Sequence, residues 1–317
     1  MTDLNTQVEV VETATEIQKA ISQVKGFVVY KFKSEAIAQN VLEALTEEVL
    51  AAKPFTPCCK YDQFKTGFTP FTAEGCNYIL QTKGVTAFQV TEQFKKPKAI
   101  TVKRKCKVEE DKYMKEHDIE KLDKESKDII KMSVIESLLP TTDPDEEKTS
   151  LLWITEDSLI VGCPTYKKAE ELVATVRDVV GSLPVTPLTV KVDVAEKLTD
   201  MLSSGYSETL VLGDKVELTH SDPSNKGVIS FNKESLYYVE VKKHLAEGCL
   251  VNKIQLSNDE LMMFTLNTEM EFSGIKVDKE VLAGSRDMGA LIVTIDEVNR
   301  CTKEVVEVFG GEASEEA

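Results

Sequence analysis

LLWITEDSLIVGCPTYKKAEELVATVRDVVG, residues 151–181, changes its period halfway and puts both kinds of regular structure side by side. LLWIT and SLIVGC read as two short strands around Glu156-Asp157, because apolar runs flank one polar pair. Thr165 then stands where a helix needs a side-chain acceptor for its first free N–H groups. Gly181 stands where a left-handed residue ends one, so residues 166–180 read as a helix.

Downstream, the proline-rich SLPVTPL (182–188) reads as a domain boundary. Beyond it we expect a helix at 194–203, strands at 209–218 and 227–231, a helix at 235–246 and three strands between 250 and 277. A strand at 290–295 and a helix to about 309 follow, and the tail GGEASEEA (310–317) is expected to fray. Upstream, TTDPDEEKTS (141–150) is a polar turn. FVVYKF (27–32) is a buried strand, and the helix after it, from its cap Ser34, carries Ile37, Val41, Leu42, Leu45 and Leu50 on one stripe. KPFTPCCKYDQFKTGFTPF (53–71) breaks the pattern with three prolines and a glycine, and NYILQT and VTAFQVTEQF form a hairpin on Lys83-Gly84.

The formal net charge of the 317 residues is −16, yet KKPKAITVKRKCK (95–107) holds six lysines and one arginine without an acid. Removing those seven charges leaves −16 less 7, or −23, on the rest, so charge is segregated along the chain. Read as a helix opened by Pro97, this segment puts Ala99, Val102, Cys106 and Tyr113 on one stripe. Lys96, Lys103 and Lys107 then line one flank, and Lys98, Lys105 and Lys112 the other. AITV also suits a strand, and both readings stay open. A second helix from about residue 119 carries Leu122, Ile129, Ile130, Val134, Ile135 and Leu138 and stops at Pro140.

Other chemistry is excluded or left without support. No apolar run approaches the ~18 residues of a membrane span, and the N-terminus is polar and acidic, so a cytoplasmic address is expected. Seven scattered cysteines suit a reducing compartment, as free and mostly buried thiols, with Cys58-Cys59 as packing residues. His117, His220 and His244 lie far apart with no ligand spacing, so no metal or cofactor is expected. No GxSxG, P-loop or GxGxxG occurs. Pro144-Asp145 with Glu146-Glu147-Lys148 contains the letters of a nuclease PD and ExK pair, but crowds them into one turn, where carboxylates cannot converge on a cation from separate strands.

FTPC (55–58), KTGFTPF (65–71), SLLP (137–140), LLWI (151–154), KKAEELVATVRDVVGSLPVTPL (167–188) and FGGE (309–312) together resemble the bacterial recombination-associated RdgC family, in order and separation, from Gly26 almost to the end. The resemblance implies an α+β, multidomain, horseshoe-shaped subunit with antiparallel sheets and a helical tip, closing as a homodimer into a ring. It implies non-catalytic, non-sequence-specific binding of double-stranded DNA in the nucleoid, restraining the RecA recombinase. On this plan residues 26–75 and 150–187 form a central part, 76–149 the tip and 188–317 a dimerising base; residues 1–25 have no counterpart in the family and are expected to be an N-terminal extension, read as an added helix. The candidate DNA contacts are Lys95, Lys96, Lys98, Lys103, Arg104, Lys105 and Lys107, then Lys233, Lys242 and Lys243. Each has a plain alternative as a solvated lysine. After SLLP, where the family carries a basic, aromatic gate, this chain has Thr141, Thr142, Asp143, Pro144 and Asp145, so two such loops repel and the ring is expected to close more loosely. The rival readings are a DNA exonuclease or nuclease subunit, which needs converging carboxylates, and an acidic protein-binding module of the recombination or replication machinery.

Overall fold

Trp153 anchors the hairpin that opens the 151–181 segment. The computed structural model describes residues 24–71, 77–205, 209–222, 224, 227–233, 236, 239–258, 261–282 and 288–313. Strands β5 (Lys148–Ile154) and β6 (Ser158–Val161) pair antiparallel, Trp153 opposite Ile160. The turn closes through Thr155 N–H on the Ser158 carbonyl at 2.8 Å and Ser158 Oγ on Asp157 at 2.7 Å. Helix α5 (Tyr166–Val180) starts as its caps demand: Thr165 Oγ1 accepts from Lys168 N–H at 3.3 Å, and Gly181 closes the end at φ 77°.

The chain divides into two compact units. The larger holds the described residues of Met1–Ala51, Pro70–Gln89 and Ser150–Ala317; the smaller is Ala52–Thr69 with Val90–Thr149. Strands β4 (Val85–Phe94) and β5 pass from one unit into the other. Segment 182–188 supplies β7 (Val185–Pro187), antiparallel to β1 (Gly26–Phe32) in the larger unit.

In the larger unit an antiparallel sheet runs β5-β6-β1-β12-β11-β10-β8-β9, with β4 beside β5 and β3 (Ile79–Thr82) on β4. Its remaining strands are β8 (Leu210–His220), β9 (Val228–Asn232), β10 (Cys249–Asn258), β11 (Met262–Asn267) and β12 (Phe272–Val277). The β3–β4 hairpin turns on Lys83 and Gly84, both at positive φ, as a two-residue turn between twisted strands requires. β1 is buried at every position but Lys31 because it lies in mid-sheet. Phe27 stacks on Phe272 at 4.2 Å, and Tyr30 and Tyr166 tie α5 to it, the Tyr166 hydroxyl donating to the Val29 carbonyl at 2.9 Å.

Helices α1 (Glu35–Ala44), α2 (Glu47–Ala51), α6 (Val194–Ser204), α7 (Val239–Ala246) and the short α8 (Lys279–Leu282) complete this unit with α9 (Met288–Val308). The expected single helix after β1 is two, because Thr46 caps a fresh start, its carbonyl accepting from Leu50 N–H at 3.1 Å. The expected 235–246 helix is helical from Val239 in the described residues, and Ser235 lies outside them.

The strand expected at 290–295 is instead the first half of α9. Ile292, Val293, Thr294 and Ile295 suit a strand locally. The buried positions Ala290, Leu291, Thr294, Ile295, Val298, Cys301 and Val305 nevertheless recur at three and four, and burial of that stripe overrides β-propensity. Trp153 donates its indole N–H to Asn299 on this helix at 2.9 Å. The tail does not fray before Ala313: Gly310 and Gly311, at φ 81° and 90°, turn the chain so that Lys191 N–H reaches the Gly311 carbonyl and Ala313 N–H reaches Thr189. Lys31 Nζ meets Glu312 at 2.7 Å and also pairs with Asp157.

The smaller unit contains β2 (Phe64–Thr69) beside β4, then α3 (Ala99–His117) and α4 (Lys124–Leu138), which pack together, and a 3-10 turn at Leu139–Thr141. The basic stretch is therefore helical from Ala99. α4 starts at Lys124 rather than 119, because the Asp123 side chain takes Ser126 N–H at 2.7 Å and Asp118 has already ended α3 in a left-handed conformation. Gly67 in KTGFTPF has a steric reason: a Cβ there would lie 2.6 Å from Phe55 backbone atoms, where Pro54 bridges Phe68.

Candidate nucleic-acid interface

The basic helix is seated on three of the four positions of its expected stripe. Val102, Cys106 and Tyr113 are half-buried, joined by Glu110 and Met114, while Ala99 is exposed, and no residue of α3 is fully buried. At 100° per residue Lys103 and Lys107 fall on one flank, Lys105 and Lys112 on the other, and Arg104 points away from the seat. Lys98, Lys103, Arg104, Lys105 and Lys107 are exposed, and none is in an ion pair among the described residues; the pair on this helix is Lys112 with Glu116 at 4.0 Å.

These charges sit against the helix's own field. The N-cap is Lys98, without a side-chain hydrogen bond, and the first turn has no acid, although that end carries the positive pole. Lys103 has Lys107 one turn on, a like-charge spacing that destabilises an isolated helix. The charges at its N-terminal end therefore do not stabilise α3.

Lys95 departs from the expected set. Only 4% of it is exposed, and its ammonium donates to the carbonyls of Cys59 at 3.2 Å and Lys60 at 3.1 Å. Burying that charge is tolerable only with such partners. Lys96 is exposed, with Nζ 4.3 Å from the centroid of Phe94. Lys233, Lys242 and Lys243 lie in the larger unit. Lys233 takes φ 61° after β9 and donates its N–H to Asp214, while Lys242 and Lys243 are exposed on α7, the latter 4.0 Å from Glu247.

The segment 141–145 is tied to the smaller unit at both ends. Thr141 and Thr142 hydroxyls donate to the Leu138 carbonyl at 3.1 and 2.9 Å, and Asp145 N–H reaches the Phe94 carbonyl at 2.7 Å. Asp143, Pro144 and Asp145 are exposed.

Sequence reasoning passed over the 58–65 turn, where Lys60, Tyr61, Phe64 and Lys65 interleave lysines with aromatics. That interleaving was the available signal. Cys58 N–H donates to Gln93 Oε1 at 2.7 Å, and burial with the nearby Asp62 carboxylate pushes the Cys58 thiol pKa up. Cys59 is exposed rather than packed; Cys163, Cys249 and Cys301 are buried. The Cys59 N–H holds the Asp62 carboxyl below its usual range. Among the described residues no group of three or more His, Cys, Asp or Glu side chains could hold a metal ion, and no helix is long and apolar enough to cross a membrane.

Fold and site together define an α+β protein, acidic as a whole, with a solvent-facing cationic helix. The sequence model of the family described as "Putative exonuclease, RdgC" matches residues 24–312. Relatives called "Recombination-associated protein RdgC" include one from Shewanella putrefaciens CN-32, 30% identical over 268 residues covering 84% of this chain and 86% of the relative. Another, from Enterobacter sp. 638, is 30% identical over 91% of this chain and 98% of its own length, and one from Proteus mirabilis HI4320 is 28% identical over the same shares. The chain belongs to the RdgC family.

Proposed function

We propose that this recombination-associated protein binds double-stranded DNA without sequence preference and without catalysis, using the exposed face of α3. Lys96, Lys98, Lys103, Arg104, Lys105 and Lys107 contact phosphates, and Lys233, Lys242 and Lys243 form a secondary contact; Lys95 acts as an internal brace. The observation that carries the reading is the row of exposed, unpaired cations on α3, placed where helix stability disfavours them. Phosphate contacts supply affinity without reading bases, and the acidic remainder limits wrapping by the whole surface.

In the fuller reading a homodimer closes as a ring around the duplex, with residues 76–149 as tip and 188–317 as base, and obstructs a RecA-type recombinase on the cytoplasmic nucleoid. The acidic 141–145 loops repel at the tip, so that contact is weaker than the base contact, which sedimentation of tip-deleted and base-deleted chains measures.

The decisive titration uses fluorescent duplex DNA at several salt concentrations, with wild type and the Lys103→Glu, Arg104→Glu, Lys105→Glu variant. We expect the variant to bind roughly a hundredfold more weakly. Its log-log salt slope falls by about 2.7 if all three residues touch phosphate. Unchanged affinity overturns the assignment, and magnesium-dependent loss of labelled DNA that survives repurification makes the protein a nuclease instead.

A further inference from the structure

Lys95 organises a second surface of the smaller unit. Its ammonium holds the Cys59 and Lys60 carbonyls, and its N–H donates to the Gln63 carbonyl at 2.9 Å. Those carbonyls bracket Tyr61, and Asp62 closes the turn by accepting Cys59 N–H at 2.8 Å. A tyrosine 71% exposed is thus presented on a braced turn, with Lys60 Nζ 5.6 Å from its ring centroid. On either side of Lys95 in the chain stand Phe94 and Lys96. The Lys96 ammonium lies over the Phe94 ring, which packs at 4.6 Å on Phe64, itself 40% exposed.

Neither the core nor the basic helix uses Tyr61. Aromatic faces beside ammonium groups match one ligand chemistry well: a base offers a π-face of its own and its phosphate takes the cation. Both base faces are free only where the strand is unpaired. The braced turn also loses little main-chain freedom when a base stacks on Tyr61.

We propose that the Lys60-Tyr61 turn, with Phe64, Phe94 and Lys96, is a platform for unpaired nucleotides. Tyr61 stacks on a base while Lys60 and Lys96 take the neighbouring phosphates. This deepens the DNA-binding reading and rests on it: the protein binds a duplex carrying a single-stranded tail more tightly than a blunt one.

The test measures binding of blunt duplex, the same duplex with an oligo(dT) tail, and free oligo(dT) of about twelve nucleotides, for wild type, Tyr61→Ala and Tyr61→Trp. Tyr61→Ala should lose roughly tenfold on the tail and the free oligonucleotide, from the typical worth of one stacked base, and under about twofold on blunt duplex. Tyr61→Trp should restore binding and show indole quenching by oligo(dT). Its emission is separable, because the single native tryptophan, Trp153, is 1% exposed and bonded to Asn299. Equal losses on all three DNAs, no loss, no quenching, or a wild type that ignores oligo(dT) each overturn the platform. The Lys103, Arg104, Lys105 triple variant runs alongside: if it keeps blunt-duplex affinity, the duplex reading fails, while the oligo(dT) series still decides the platform.

Discussion

Of the chain's 38 basic and 54 acidic side chains, the smaller unit holds 17 and 16 and the larger 21 and 38, so their formal charges are +1 and −17. Their interiors differ in the same sense. The larger unit surrounds a wide apolar cluster that includes Phe27, Trp153, Leu256, Phe264, Phe272 and Phe309. The smaller buries Thr91, Glu92, Gln93 and Lys95 in sequence along β4 and its exit, and links Thr69, Thr91 and Thr149 through hydroxyl contacts of 2.6 and 2.8 Å. Both units remove apolar area from water, the smaller through Phe68, Val90, Leu122, Val134, Leu138 and Leu139, but in the smaller a run of polar groups with partners lies beside that core.

That contrast breaks first at Phe272. It is fully buried, stacked on Phe27 and 5.5 Å from Phe264, so Phe272→Ala opens a cavity in the larger core and should cost about 3–5 kcal/mol by chemical denaturation. A loss below about 1 kcal/mol shows that the apolar cluster is not what holds this unit.

Lys95 gives the matching test of the smaller unit. Lys95→Met keeps most of the stem and deletes the ammonium, leaving the Lys60 carbonyl without that donor and the Cys59 carbonyl with the Asp62 N–H at 3.3 Å alone. Hydrogen bonds to a charged group are worth about 1.5–3 kcal/mol, and the loss should appear in a thermal melt with faster amide exchange in residues 58–63. A melt unchanged from wild type shows that the ammonium does not brace this turn.

Lys95 also shows where sequence reading stops. Seven basic residues in thirteen positions look alike as letters, and periodicity correctly seated the helical ones, because Val102, Cys106 and Tyr113 carry a pattern that packing obeys. Nothing in KK at 95–96 says that the first side chain turns inward, since its partners are carbonyls from a turn thirty-five residues back. α9 failed in the opposite way: its β-branched run was legible locally, but the stripe reaching Cys301 and Val305 that makes it a helix appears only over the full length. Caps and turns were the most legible features. Thr165, Gly181 and Lys83-Gly84 act through atoms within a few residues of themselves.

The smallest expected effect sharpens the comparison most, because its sign is unusual. Lys98 is the N-cap of α3 at φ −54° and ψ 125°, with no side-chain hydrogen bond, facing the positive pole of the helix. Lys98→Asp supplies an acceptor for a free N–H group and replaces an unfavourable charge by a favourable one, which should stabilise the protein by about 1 kcal/mol. Lys98→Ser gains most of the capping without the negative charge. If the cation is kept for phosphate, both variants melt higher and bind duplex more weakly, the aspartate more so. A helix end that gains stability without losing affinity would mean that Lys98 is solvated surface. One that loses both would mean that the lysine stabilises the helix, and the field argument for the binding face would fail with it.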